Sequence, residues 1–482
     1  MHNDIELNNS TKVYNFDLAI IFLIPITILL FLFLGINDDR YFYYIVILLS
    51  ILIYELVVYD TRNLFGFSGI QFLSIPSIIV TTYTCFIALP SINILFFKDL
   101  QILSYIIIVC QFYFIFPLGL FTSSKIHKIK YSEISKILQK EFNFYTYNRY
   151  VNFILFNLLF ISSTIFIIYL IRVDEIPLFQ LYKNIGNSGV LWILREESLK
   201  LLEISSIERY LFMWQRSLFI PFGLVLSLFY YNKENTKIYL FFSTFFFALG
   251  IIFNTLTLEK SPIAALFLII SVFIIILRKK INLKYILLSV VTIFSIPLLI
   301  SFFYYHGKDS LFEFLITTML SRIFLIPSEV LYQYVLIFPN SHDFLLGRST
   351  QLISFFHPLG SFDLSNYVAQ VWWKEKFTSG YANVLYLGNF WADFGYLGVY
   401  ISTFILGYIV NWLYSLILFI SKYEKNWIYT VSISLFMPIL TFNFFSSNIT
   451  TLFFTRGMIL LIIFYYLIMW LEYRRTILNN EK

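Results

Sequence analysis

Residues 237–278 read KIYLFFSTFFFALGIIFNTLTLEKSPIAALFLIISVFIIILR, two apolar runs divided by Thr257-Leu-Glu-Lys-Ser-Pro262. At a helical rise of about 1.5 Å per residue each run approaches or matches the ~30 Å of a hydrocarbon core. Backbone N–H and C=O groups in lipid must be satisfied within the segment, so both runs are predicted to be helices. Outward from this pair the same alternation continues. Spans are predicted near 18–36, 41–59, 75–97, 103–122, 150–171 and 210–230, then 238–254, 262–277, 285–305, 389–420, 428–446 and 452–471. The expected fold is all-α: a polytopic integral membrane protein with about twelve transmembrane helices.

Composition agrees. The 482 residues are 59% hydrophobic and 13% charged, with a mean hydropathy of +0.77. Soluble domains carry about a quarter charged residues, so a soluble globular enzyme is excluded. The 57 Phe and 36 Tyr suit a chain in lipid, with tyrosine favoured at the two interfaces. The net charge of +6 is spread over short connections and does not point to nucleic acid. Cys85 and Cys110 both fall inside predicted spans and read as small apolar residues, without a disulfide framework or metal site. The segment from His2 to Asp17 is polar and has no basic n-region with a cleavage site, so 18–36 reads as a retained span. No internal repeat and no Gly/Ser- or Pro-rich linker is found, and 1–482 reads as a single membrane domain.

Lysine and arginine set the expected orientation. With the N-terminus in the cytoplasm, alternate connections hold 19 of the 34 cations, and each inside segment carries at least one. Both termini are then cytoplasmic, and 172–209 and 306–388 face outward. Within the second, the apolar stretch 311–338 has Arg322 at its middle and Pro327 after it, which argues against a simple crossing. Helices lying on the outer interface, or a broken re-entrant pair, are expected there. The 306–388 segment is thus a large extracytoplasmic loop carrying interfacial helices.

Phosphate-cradling GxxxxGK[ST], HExxH, paired CxxC and GxSxG signatures are absent, and no cofactor is called for. Chemistry is then expected from charges at the outer membrane face, since ionisable groups beside spans are costly to place. Arg209 and Arg216 lie seven apart, about two turns, on one face of the sixth span. Lys260 opens the eighth span, where a helix N-terminus adds positive potential. Arg456 lies in the first turns of the twelfth, and Arg322 and Arg348 in the large outer loop. Together these cations suit a phosphate or pyrophosphate. Each also has an ordinary reading: an interfacial anchor for Arg209, a pair with Glu259 for Lys260, a snorkelling side chain for Arg322, a loop residue for Arg348. His357, before Pro358, is a candidate general base or a hydrogen-bonded loop histidine. Asp393 is a base or a structural partner for an arginine.

The segment Ser379-Gly-Tyr-Ala-Asn-Val-Leu-Tyr-Leu-Gly-Asn-Phe-Trp-Ala-Asp-Phe-Gly-Tyr-Leu-Gly398 enters an apolar helix ending near Ile420. It resembles the end of the large periplasmic loop and the following span in Wzy-type O-antigen polymerases, the oligosaccharide repeat-unit polymerases. The shared features are a small or polar pair, an aromatic-rich turn, and FG-x-x-G at Phe394, Gly395 and Gly398. Lys260-Ser-Pro262 resembles the family's basic-small start of a span, where Arg is commoner. Related ligases and polymerases often carry His-Asn before the FG turn; here Ala382-Asn383 stands in its place, and His357 is the substitute for a base.

The resemblance implies a membrane glycosyltransferase of the bacterial inner membrane that joins undecaprenyl-pyrophosphate-linked oligosaccharide repeat units into O-antigen or capsule-type polysaccharide, one step of lipopolysaccharide biosynthesis. It implies Arg216 among the catalytic groups with His357 and Asp393, pyrophosphate on Arg209, Arg216, Lys260, Arg322, Arg348 and Arg456, and glycan on Tyr381, Asn383 and Trp391. Cations in that role leave no need for a metal, and a chain-length regulator protein is a possible partner. Two other readings stay open: a lipid-linked oligosaccharide flippase or transporter, and an O-antigen ligase of the same chemistry.

Overall fold

The computed structural model describes residues 23–28, 39–58, 65, 74–96, 101–127, 149–184, 187–200, 206–278, 291, 293, 295, 298, 320–373, 381–422, 426–449 and 451–467. Among these residues the regular structure is helical. The longer elements are α1 (Asp39–Val58), α2 (Ile75–Tyr83), α3 (Ile102–Ile126), α4 (Arg149–Arg172), α5 (Ser188–Lys200), α6 (Ser206–Trp214) and α7 (Ile220–Glu234). They are followed by α8 (Lys237–Thr255), α9 (Lys260–Arg278), α10 (Ile326–Ile337), α11 (Leu364–Trp373), α12 (Tyr386–Lys422), α13 (Asn426–Pro438) and α14 (Met458–Leu467).

Seven helical stretches are long and apolar enough to cross a membrane, and three shorter apolar helices accompany them at Phe42–Val58, Trp427–Asn443 and Met458–Leu467. These fall at ten of the positions expected from the sequence. The other two expected spans lie largely outside the described residues: 18–36 is seen only at 23–28, and 285–305 only at four helical positions.

Several spans are not uniform α-helix. Ser74 caps α2, its hydroxyl accepting from the Ser77 N–H at 3.3 Å with Pro76 in the first turn, as expected where an N–H would be orphaned anyway. The chain then widens into a π turn at Thr84–Ala88 and tightens to 3-10 helix over Leu89–Phe96. A second π turn, Gln215–Phe219, joins α6 to α7. Pro221 follows it and lacks the N–H that an α-helix would send to the carbonyl of Ser217, so the ladder is interrupted where the turn widens. Further π turns occur at Ile439–Asn443, directly after Pro438, and at Thr451–Thr455.

The chain divides into two compact units. The first comprises Met1–Leu138, Ile316–Leu416 and Asn443–Thr450; the second comprises Gln139–Leu315, Ile417–Phe442 and Thr451–Lys482. Both contain apolar spans, so the division does not separate a membrane part from a loop part.

In the first unit α1 packs on α3, and α3 meets α12 at two glycines. A Cβ on Gly119 would lie 2.3 Å from the Phe404 carbonyl oxygen, and one on Gly407 would lie 2.3 Å from that of Phe116. Only glycine lets the backbones come so close. Buried polar groups are paired along the same seam. Gln111 donates to Thr403 at 3.0 Å, Thr403 meets Tyr386 at 2.9 Å, and Asn411 donates to the Leu120 carbonyl at 2.9 Å.

Within 311–338 the helix is broken. A single turn, Ser321–Phe324, precedes α10, and Pro327 sits at the start of α10. Residues 311–319 lie outside the described residues. Tyr332, Tyr334 and Val335 of α10 are buried in the first unit, and Asn93 donates to Glu329 at 2.9 Å. Among the described residues 320–338 the helix is interrupted before Pro327, and α10 is packed within protein.

In the second unit α7 and α8 pack along their lengths, and α9 packs on α13. Gly223 faces the ring of Phe246, where a Cβ would come within 2.5 Å of ring carbon.

Candidate functional site

Four chain segments of the second unit bring charge together where α8 turns into α9. Glu259 stands in that connection. Its Oε2 accepts from Arg216 and from the Thr257 hydroxyl at 3.2 Å, and its Oε1 accepts from Arg195 of α5 at 3.4 Å. Arg216, in the π turn between α6 and α7, donates with its other terminal nitrogen to the Thr257 hydroxyl at 2.6 Å. Its guanidinium lies over the Phe212 ring, 4.4 Å from the centroid, an arrangement favourable to a cation. The Arg216 side chain is 8% exposed and that of Glu259 21%.

Arg456 completes the group, close enough to interact electrostatically with both the Glu259 carboxylate and the Arg216 guanidinium. Its backbone N–H donates to the Thr451 carbonyl at 3.2 Å, closing the π turn before it. Gly457 then takes a φ of +82°, and a Cβ there would lie 3.2 Å from Leu218 in the other π turn. Both deeply placed arginines are thus set by π turns, a feature frequent at functional sites.

The electrostatics are unbalanced. Burial alone would raise the carboxyl pKa of Glu259, but Arg216 and Arg195, with the Arg216 and Thr257 hydrogen bonds, hold it down at about 2. The carboxylate is therefore charged at neutral pH. Three guanidinium groups face this one carboxylate, an excess of two positive charges. The Nε donors of Arg195, Arg216 and Arg456 are buried with no hydrogen-bond partner among the described residues. Leaving charged donors unmet costs free energy, and an anion with several oxygens would satisfy them. A second pair, Arg172 to Glu208, is bidentate at 2.7 and 2.6 Å; being about a third exposed, it is worth little.

The site residues expected from the sequence separate by unit. Arg216 and Arg456 come together in the second unit. Lys260 is the first residue of α9, next to Glu259, and is half-buried. Arg209 is exposed; seven residues amount to about 10 Å of axial rise, so one helix face carries the two arginines at different depths. Glu259, the partner in one of the two readings of Lys260, is held by Arg216 and Arg195. Arg195 was not anticipated, because α5 lies in a polar stretch that reads as an ordinary outer connection.

The remaining candidates belong to the first unit. Asp393 is 0% exposed. It accepts from the Ser349 N–H at 3.1 Å, the Ser349 hydroxyl at 2.7 Å and the Thr350 hydroxyl at 3.0 Å. Its partners are thus a loop backbone and two hydroxyls, where an arginine had been one expectation. Arg348 donates to the Gly360 carbonyl at 3.4 Å and lies over Phe362. Arg322 is exposed on its single helical turn. His357 accepts at Nδ1 from the Leu359 N–H at 3.2 Å, so one ring nitrogen is engaged in its own turn. Trp391 is 3% exposed and donates to the Phe338 carbonyl at 3.0 Å; its ring is enclosed in packing and presents no face to a glycan. Tyr381 and Asn383 are exposed. Gly395 takes a φ of +61° and breaks α12 near its start, with Gly398 so close to the Phe390 carbonyl oxygen that a Cβ would lie 2.4 Å from it.

The functional chemistry of this chain rests on its own geometry, because comparison with protein-family models, curated proteins and solved structures gave no match.

Proposed function

We propose that this protein is a membrane glycosyltransferase that polymerises undecaprenyl-pyrophosphate-linked oligosaccharide repeat units on the outer face of the bacterial inner membrane. In this reading about twelve spans place both termini in the cytoplasm. The observation that carries it is the Arg195–Arg216–Arg456 group around Glu259, with its excess positive charge and its buried Nε donors that have no partner among the described residues. In that orientation the connection carrying Arg195 on α5, the outer end of the span that holds Arg216, the start of α9 beside Glu259 and the start of α14 beside Arg456 lie on the outer side, where a lipid-linked diphosphate presents its headgroup.

In the reaction a hydroxyl oxygen of one lipid-linked glycan attacks the anomeric carbon of another. The new C–O bond forms as the bond from that carbon to the diphosphate oxygen breaks, and the electron pair leaves with the lipid diphosphate. The hydroxyl proton passes to water or a neighbouring base. Charge grows on the leaving diphosphate, and fixed donors aimed at developing charge act most strongly in a site shielded from water.

Deletion in the native strain, followed by gel analysis of the surface glycan, tests the activity. Loss of the ladder with single-repeat caps retained supports polymerisation; loss of every capped species assigns the protein to the ligase or flippase class. Arg216→Ala and Arg456→Ala are each expected to lower elongation by about 100- to 1000-fold, the scale for losing one oxyanion donor, with protein levels kept. Normal elongation in both removes the electrostatic site.

A further inference from the structure

We propose that Glu259 is a positioning residue for the anion site, a fixed negative strut that holds Arg216 and Arg195 in place for a diphosphate. The inference rests on reading the arginine group as a diphosphate site.

A carboxylate in an anion site is at first sight counterproductive, since it cancels one of three positive charges. The contacts explain why it is kept. Glu259 Oε2 is engaged by Arg216 and Thr257, and Oε1 by Arg195. Thr257 in turn holds the second terminal nitrogen of Arg216, and Phe212 lies under its plane. The terminal nitrogens of Arg216 are therefore tied down, and its Nε has no hydrogen-bond partner among the described residues. Without the carboxylate, two guanidinium groups in a shielded place repel each other and gain rotameric freedom. The binding geometry then has to be rebuilt at each encounter, which lowers affinity. Three of the roughly four acceptor sites of Glu259 are taken by Arg216, Thr257 and Arg195, which suits a strut better than a general base.

Charge and geometry predict opposite signs, so one measurement separates them. Binding of inorganic pyrophosphate to the full chain in detergent is measured by calorimetry at pH 7 and fixed ionic strength. Glu259→Gln raises the local charge by one, and on charge alone it tightens binding. As a positioning residue its loss weakens binding at least tenfold, and Glu259→Asp, which keeps the carboxylate, recovers part of that loss. Equal or tighter binding by Glu259→Gln overturns the proposal. Should that variant fail to elute as a folded species, Thr257→Ala decides: weakened binding supports the strut, and wild-type affinity overturns it. Arg456→Ala isolates the underlying reading. If wild-type protein binds no pyrophosphate, or Arg456→Ala binds as well as wild type, the diphosphate site itself is lost. Loss in Arg456→Ala with tightening in Glu259→Gln removes the strut alone.

Discussion

Replacing Asp393 by alanine removes the acceptor for three donors at once, the Ser349 N–H, the Ser349 hydroxyl and the Thr350 hydroxyl. Each hydrogen bond to a buried carboxylate is worth about 1.5–3 kcal/mol in isolation, but the terms do not add, because freed hydroxyls turn to other acceptors. Ser349 already has the Asn389 carbonyl within 3.5 Å. The Leu345 and Leu346 N–H groups keep their bonds to the Ala392 and Asp393 carbonyls at 2.9 and 3.0 Å. The expected net cost is therefore about 3–5 kcal/mol, less than the full sum of the hydrogen bonds lost. It falls on the 345–350 loop, whose local opening should become about a hundredfold to a few thousandfold more frequent. Hydrogen exchange by mass spectrometry on peptides covering 344–354, in detergent, reads this directly. Asp393→Asn retains one carbonyl oxygen and should lie between wild type and alanine. Unchanged protection in Asp393→Ala, above all if elongation is lost, refutes the structural role and restores Asp393 as a base.

Gly407→Ala puts a methyl group where 2.3 Å separates it from the Phe116 carbonyl oxygen, so α3 and α12 must move apart; we expect a loss of about 1–3 kcal/mol and a lower melting temperature, and an unchanged one counts against direct backbone contact. The Glu259 carboxyl, at about 2 in the folded protein against 4.5 for a freely solvated glutamate, contributes stability that is complete above pH 4.5 and is lost as pH falls toward 2. The shift corresponds to about 3 kcal/mol at most, reduced by solvent because the side chain is 21% exposed. Thermal stability of wild type and Glu259→Gln followed from pH 6 to pH 3 should draw closer together as pH falls; parallel curves refute the linkage.

The helices were legible because hydropathy and length report directly on what a bilayer demands, and runs such as 238–254 and 262–277 leave the backbone no alternative. Arg216 and Arg456 were legible for the same reason, a charge near an apolar run being costly. Their partner Arg195 was not, since a polar helix in a connection carries no such penalty. Glu259 was visible only in one of two readings of its neighbour Lys260, and its bonds to Arg216 and Arg195 were not, because sequence spacing cannot show toward which cations a connection turns. The Gly119–Gly407 contact escaped notice as well. Gly395 and Gly398 drew attention only as part of the FG-x-x-G pattern; that Gly395 breaks α12 was not legible. Close approach of two helices depends on residues nearly 300 positions apart, which a single sequence does not relate.

A π turn holds one residue more than the α-helical path around it, and the turn containing Arg216 is therefore a change of register that substitution cannot reproduce. Deleting Ser217 would let the ladder close as ordinary helix over the same path, leaving the flanking helices in register while redirecting the residues of the turn itself, Arg216 among them. Such a shortened chain keeps almost every apolar residue, and α7 keeps its neighbours while Arg216 loses its own. Backbone count, in addition to side-chain chemistry, is thus part of what aims this arginine, and a length variant reaches it with no change of charge.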